Sequence, residues 1–226
     1  MIKKIFLTGL VIFLFVQCAK ERNPFLISNK AVGDLTIGMK IKQVDSIFAM
    51  DSIVRLSPRQ NQSSSFGELE IYEKSGKKLL LISPENNYDP DALIENFQFF
   101  DDRYKTVKGL NINSTFKDIK ENYEIANIET TLSTVLIILK DSDLFINIDK
   151  KELSENFRYN PNLVIDVTNI PNEAKIKYFM LSWKIDDLEE IEVMIAPGSR
   201  LIGRKHDFFF KIAYEELNLL ENEESE

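Results

Sequence analysis

Cysteine and histidine are almost absent from this sequence: Cys18 and His206 are the only ones in 226 residues. A zinc centre built from several such ligands is therefore excluded. A single thiol forms no internal disulfide. A serine nucleophile would have to find its base in His206, which stands alone, and no G-x-S-x-G elbow occurs; Ser199, in PGSR, has no signature around it. Glycines number 8 and never cluster, so no phosphate-cradling loop is present. Basic runs are missing too. Lys and Arg total 28 against 36 Asp and Glu, a net charge of −8. Neither nucleic acid nor an anionic lipid surface is expected to bind such a chain by charge. No cofactor and no metal are expected.

What is present begins at the amino terminus. MIKKIFLTGLVIFLFVQCAKER places Lys3 and Lys4 before an uncharged run, Ile5 to Val16, and then Cys18. Two lysines followed by an apolar stretch of this length form a signal-peptide pattern. The run is too short to cross a bilayer as a helix. Phe15-Val16-Gln17-Cys18 resembles the lipobox of a bacterial lipoprotein precursor, with Phe15 in place of the usual leucine and Gln17 in place of the usual small residue. The resemblance implies cleavage before Cys18, lipid on its sulfur and acylation of the new amino terminus. Removal of Lys3 and Lys4 would leave a net charge near −10. Ala19, rather than aspartate, at the following position points to the outer membrane. The expected organisation is a signal peptide over 1–17 and a polar tether over 18–30.

The rest carries one apolar pattern twice. LTIGMKIKQVDSIF (35–48) and LNINSTFKDIKENY (110–123) match at an offset of 75, with Leu35, Ile37, Ile41, Val44 and Phe48 over Leu110, Ile112, Phe116, Ile119 and Tyr123. The spacing predicts an amphipathic helix in each copy. Thr115 and Asp118 form a capping-box pair, and Gly38 and Asn113 are residue types suited to a left-handed turn. Strand-like runs follow at 69–72, 79–82 and 92–99, and again at 135–139, 144–148 and 174–181. The offset falls to 66 after SPRQNQSSS (57–65) and rises to 82 across 149–170, where KKELSENF suggests a short helix. The fold class expected is α+β: two tandem repeats, each one helix plus an antiparallel three-stranded sheet, with a C-terminal helix. Repeat one covers 31–105 and repeat two 106–185. A C-terminal extension, 186–226, offers a strand near 191–195, a helix from Asp207 and an acidic tail.

The L-x-I-G-M-x-x-x-x-V pattern at Leu35 to Val44, on a chain of lipoprotein type, resembles the SmpA/OmlA group of small outer-membrane lipoproteins. The doubled layout is similar to the beta-lactamase inhibitor protein fold. That resemblance implies two helix-plus-sheet units joined into one curved sheet that grips a protein. Copy two has Asn113-Ser114 where the glycine-methionine pair would stand, and no binding residue carries over.

Aromatic residues concentrate in FQFFDDRY (97–104) and KYFMLSW (177–183). Because alternate strand residues face opposite sides, Phe99-Phe100 and Tyr178-Phe179 must each send one ring away from its neighbour. Phe97, Phe99, Tyr178 and Trp183 are the candidate partner-binding residues. The expected role is non-enzymatic: a protein-binding module on the cell envelope, held through Cys18. The alternative is an extracytoplasmic carbohydrate-binding protein or hydrolase using clustered carboxylates, such as Asp101-Asp102 or Asp186-Asp187. Asp141, Asp143 and Asp149 recur within nine residues, but Phe145 breaks the EF-hand spacing.

Overall fold

The computed structural model describes residues 23–56, 67–160, 163–183, 190–196 and 199–204. Three very short strands open it: β1 (Leu26–Ser28), β2 (Ala31–Val32) and β3 (Leu35–Thr36). A 3-10 turn, Ile41–Gln43, runs into α1 (Val44–Ile47). Then come β4 (Ser52–Leu56), β5 (Glu68–Tyr72), β6 (Lys78–Pro84), β7 (Ile94–Phe99) and the two-residue β8 (Lys105–Thr106). The second half holds α2 (Phe116–Asn122), β9 (Ile125–Thr130), β10 (Thr134–Leu139) and β11 (Leu144–Asp149). After a 3-10 turn, Lys150–Glu152, come α3 (Glu155–Tyr159) and β12 (Ile176–Ser182). A separate hairpin joins β13 (Glu190–Ala196) to β14 (Ser199–Arg204).

The expected α+β architecture of two helix-plus-three-strand repeats is overturned. Eight strands form one antiparallel sheet in the order β4-β5-β6-β7-β12-β11-β10-β9, and β3-β2-β1-β8 form a second, four-stranded sheet. The protein is mostly β. Each half supplies four strands to the large sheet, because β4 and β9 join beside the three expected in each. The helices are one or two turns long, too short to make a layer of their own. Isolated helices of such length are unstable in water, so packing holds them in place. The C-terminal helix expected from Asp207 lies outside the described residues.

Strand order is symmetric about the β7–β12 pair, where Gln98 stands opposite Met180. The helix starts are fastened alike. Ile41 N–H bonds to the Ala92 carbonyl and Phe116 N–H to the Ala174 carbonyl, each at 2.9 Å. Single bridges join Lys40 to Leu93 and Thr115 to Lys175. The side chains of Gln43 and Asp118 accept the Lys40 and Thr115 amides at 2.8 and 2.7 Å, satisfying donors that a helix start leaves open.

The main core lies on one face of the large sheet. There the inward side chains of β5, β6, β7, β10, β11 and β12 meet α1, α2 and the small sheet. Phe97, Phe116, Phe179, Ile71 and Ile137 are fully buried in it. Residues 26–28, within the expected tether, are instead the inner strand β1, with Ile27 in the core. Gly38 takes the expected left-handed turn, at φ +84°. Asn113 does not; its amide instead bonds to the Asn111 side chain at 2.8 Å in a local turn. Gly33, at φ +57°, allows a close crossing, for a Cβ there would stand 2.1 Å from the Pro24 carbonyl oxygen.

Candidate partner-binding face

The opposite face of the large sheet carries a second, smaller apolar cluster: Leu81, Leu136, Phe145 and Met180, each less than a tenth exposed. Register explains the grouping. Glu70, Leu81, Gln98, Met180, Phe145 and Ile138 follow one another across six strands in a single row. Leu56, Phe100, Ile138 and Tyr178, all partly exposed, border the cluster. A parallel row nearer one end of the sheet is polar. Ser83, Asn96 and Ser182 are paired across the strands, and Ser83 donates to the buried Glu68 carboxylate at 3.1 Å.

Lysines cover the aromatic rings of this face. Lys78 Nζ sits 4.1 Å from the centre of Phe100, and Lys177 Nζ 5.2 Å from that of Tyr178. Both contacts are cation–π pairs. Each lysine is also ion-paired, Lys78 to Glu70 and Lys177 to Asp149 at 3.3 Å. Glu70 accepts the Tyr72 hydroxyl as well, at 2.7 Å, and this bond raises the phenol pKa. The border of the apolar cluster is thus a set of aromatic rings and fixed charges of both signs.

Only part of the expected binding set lies here. Phe97 and Phe99 are in the main core, 0% and 1% exposed, so neither touches a partner. Their i, i+2 spacing puts both on one face, and that face is the covered one. Trp183 packs edge-on against Phe97, 4.7 Å between centres, and belongs to the same side. Tyr178 alone faces the second cluster. Met180, Lys78 and Lys177 were not singled out by sequence, and Phe100 only as one of the Phe99-Phe100 pair. The break in alternation at Phe99-Phe100 pointed at the right pair of residues, but which ring turns outward depends on where the helices pack.

The carboxylates offered for catalysis do not converge. Asp101, fully buried, accepts Arg103 Nη2 at 2.7 Å and Lys77 Nζ at 2.9 Å. Burial is the strongest single influence and pushes its pKa up. The bonds from Arg103 and Lys77 together outweigh it and hold the carboxyl well below the usual range. Arg103 also spans to Glu73 at 2.9 Å and lies over the Phe25 ring, tying the small sheet to the large one. Asp102 is half exposed and meets Asn113 at 3.2 Å. Asp149 accepts the Lys151 amide, and Asp141 occupies a tight turn at φ +53°. Among the described residues no three carboxylates, cysteines or histidines are placed to hold a metal ion. Cys18, Asp186, Asp187 and His206 lie outside the described residues.

Fold and face together define a mostly β protein whose eight-stranded antiparallel sheet is covered on one side by short helices and a small sheet. No known protein family matches the chain, and no curated protein does. Among solved structures it is similar to the uncharacterized protein YfeY of Escherichia coli, at 14% identity and a TM-score of 0.47. The match covers 69% of this chain and 98% of that one.

Proposed function

We propose that this is a lipid-anchored protein of the outer membrane that binds another protein through the second face of its large sheet and catalyses no reaction. The observation that carries the reading is the apolar cluster around Met180, separate from the main core and bordered by Phe100, Tyr178 and paired charges. Such a mixture of buried apolar centre, aromatic residues and polar rim is the anatomy of protein interfaces. Carbohydrate binding is supported less well, because Lys78 and Lys177 leave Phe100 and Tyr178 at most one ring face each for stacking on a sugar. Hydrolysis by paired carboxylates needs an acid whose pKa is raised. Among the described residues every carboxyl with a resolved shift (Glu73, Asp91, Asp101, Asp118 and Asp166) moves down instead.

The anchor rests on the sequence before Cys18. Among the described residues no helix is long and apolar enough to cross a membrane. Acyl chains on Cys18 would supply attachment, two or more being needed for stable anchoring. Strand β1 starts eight residues after Cys18, so the folded body would stand within roughly 30 Å of the bilayer, by the reach of an extended chain. The matched fastening of the two helix starts supports an origin by duplication of a four-stranded unit.

Cells fed labelled palmitate test the anchor: label enters the chain and is lost in Cys18→Ser. An unlabelled wild-type chain would refute it. Binding is tested by affinity capture of chemically cross-linked envelope proteins, comparing wild type with the Phe100→Ala, Tyr178→Ala double variant. Loss of a captured protein only in the double variant supports the reading, and equal capture contradicts it.

A further inference from the structure

The outer side of β9 is an unpaired sheet edge among the described residues, and its pattern is complementary to itself. Thr131 N–H bonds to the Thr134 carbonyl at 2.9 Å, and β9 pairs with β10 through Thr130–Val135, Glu129–Leu136 and Ile128–Ile137. In an antiparallel ladder the bonded positions alternate. Glu129 and Asn127 therefore turn their amides inward to β10, and Thr130 and Ile128 turn theirs outward. The Ile128 amide confirms this placement, since it meets no strand and bonds instead to the Asn127 side chain at 2.9 Å. The strand contains no lysine, no arginine and no proline; its guards are a single carboxylate, Glu129, and a register shift against β10 at Ala126.

We propose that β9 is a self-association edge, pairing antiparallel with β9 of a second copy about an axis through Ile128. A two-fold contact brings residue i against j and j against i. Centred on Ile128, it sets each Asn127 opposite Glu129 of the other copy; Ala126, where the register with β10 shifts, lies outside the matched positions. No like charges face each other. Asn127 Nδ2 already donates to Glu129 Oε1 within the strand, at 3.1 Å, so the same donor and acceptor are matched across the axis. Ile128 meets Ile128 on the side that packs toward the core. The bond that the Ile128 amide donates to the Asn127 side chain is exchanged for one to the other strand. The result is one sheet of sixteen strands. This does not depend on the second face binding a partner. The other edge, β4, runs into residues 57–66, which lie outside the described residues.

Disulfide trapping in the full chain tests it. Asn127 and Glu129 would form non-hydrogen-bonded pairs across the axis, the closer of the two spacings and suited to a disulfide. The double variant Asn127→Cys, Glu129→Cys should oxidise to a covalent dimer well above the level given by Cys18 in the unaltered chain. The same cysteines moved to the exposed turn, at Lys74 and Ser75, should stay at that level. Adding Ile128→Pro should abolish the dimer. Its missing amide is an outward one, so the bonds to β10 remain, and unchanged circular dichroism verifies the fold. Charge reversal is a second route. Asn127→Glu sets carboxylates against Glu129 and should weaken association, and Glu129→Lys added to it should restore association. Equal trapping at the Lys74 and Ser75 positions, or dimer that survives Ile128→Pro, would overturn the proposal.

Discussion

The two faces of the large sheet are made by the same strands yet differ in kind. One face is apolar across all the central strands and is covered by helices, a small sheet, and Leu153, Phe157, Ile165 and Ile170. The other has four apolar residues in its middle, a buried polar row at one end, and rings clasped by lysines at its border. Strands such as β6, β10 and β11 carry near-continuous apolar runs because both of their faces are buried at the centre. The difference teaches that the aromatic residues divide by face. Rings at Phe97, Phe99 and Phe179 lie in the main core, and those at Phe100 and Tyr178 border the cluster on the second face.

The largest expected effect comes from emptying the covered face. Phe97→Ala should cost about 3–5 kcal/mol of stability, the range for deleting a buried aromatic ring. A shift of the urea midpoint with an unchanged slope measures it. Next is the junction of the two sheets. Asp101→Asn leaves Arg103 and Lys77 without their buried carboxylate and should cost roughly 3 kcal/mol. The sign of its pH dependence is fixed. A carboxyl lowered by folding stabilises above its unfolded pKa of about 4 and loses that contribution as pH falls toward its folded value. Wild type should therefore lose stability on acidification more steeply than Asp101→Asn, by thermal denaturation at pH 7 and pH 3.

Smaller again is Gly33→Ala, which puts a methyl group against the Pro24 carbonyl at positive φ. A loss of about 1–3 kcal/mol is expected, as for other backbone strain. On the second face Tyr178→Ala should change stability by less than about 1 kcal/mol, since the ring is partly exposed. Its consequence should appear in binding. A stability loss from Tyr178→Ala as large as that from Phe97→Ala would erase the distinction between the faces.

Much of the apolar framework was legible in the sequence. Leu35, Ile41 and Val44 and their counterparts Leu110, Phe116 and Ile119 repeat at one offset, and all are buried. Of the stretches read as strands, four lie within β5, β6, β10 and β11, and 92–99 and 174–181 begin two residues before β7 and β12. The fourth strand of each half was not seen. SIVRL and IANIET are edge strands, half exposed, and their alternation is faint. The small sheet was invisible for another reason. Its strands have two or three residues, and β1 is held by Lys105 and Thr106, far along the chain. No local pattern can encode such a pairing. Asn113 illustrates a third limit, because an asparagine can complete a turn through its side chain without a left-handed backbone.

The central claim is that the second face is the recognition surface. It is tested most directly by placing a photo-cross-linking phenylalanine analogue at single positions in the full chain within living cells. The account predicts a discrete cross-linked protein from Phe100 and Tyr178, and none from Val164, which is 86% exposed, stands outside the second cluster and precedes Ile165 of the main core. Cross-links of equal yield from Val164, or none from Phe100 and Tyr178, would contradict it.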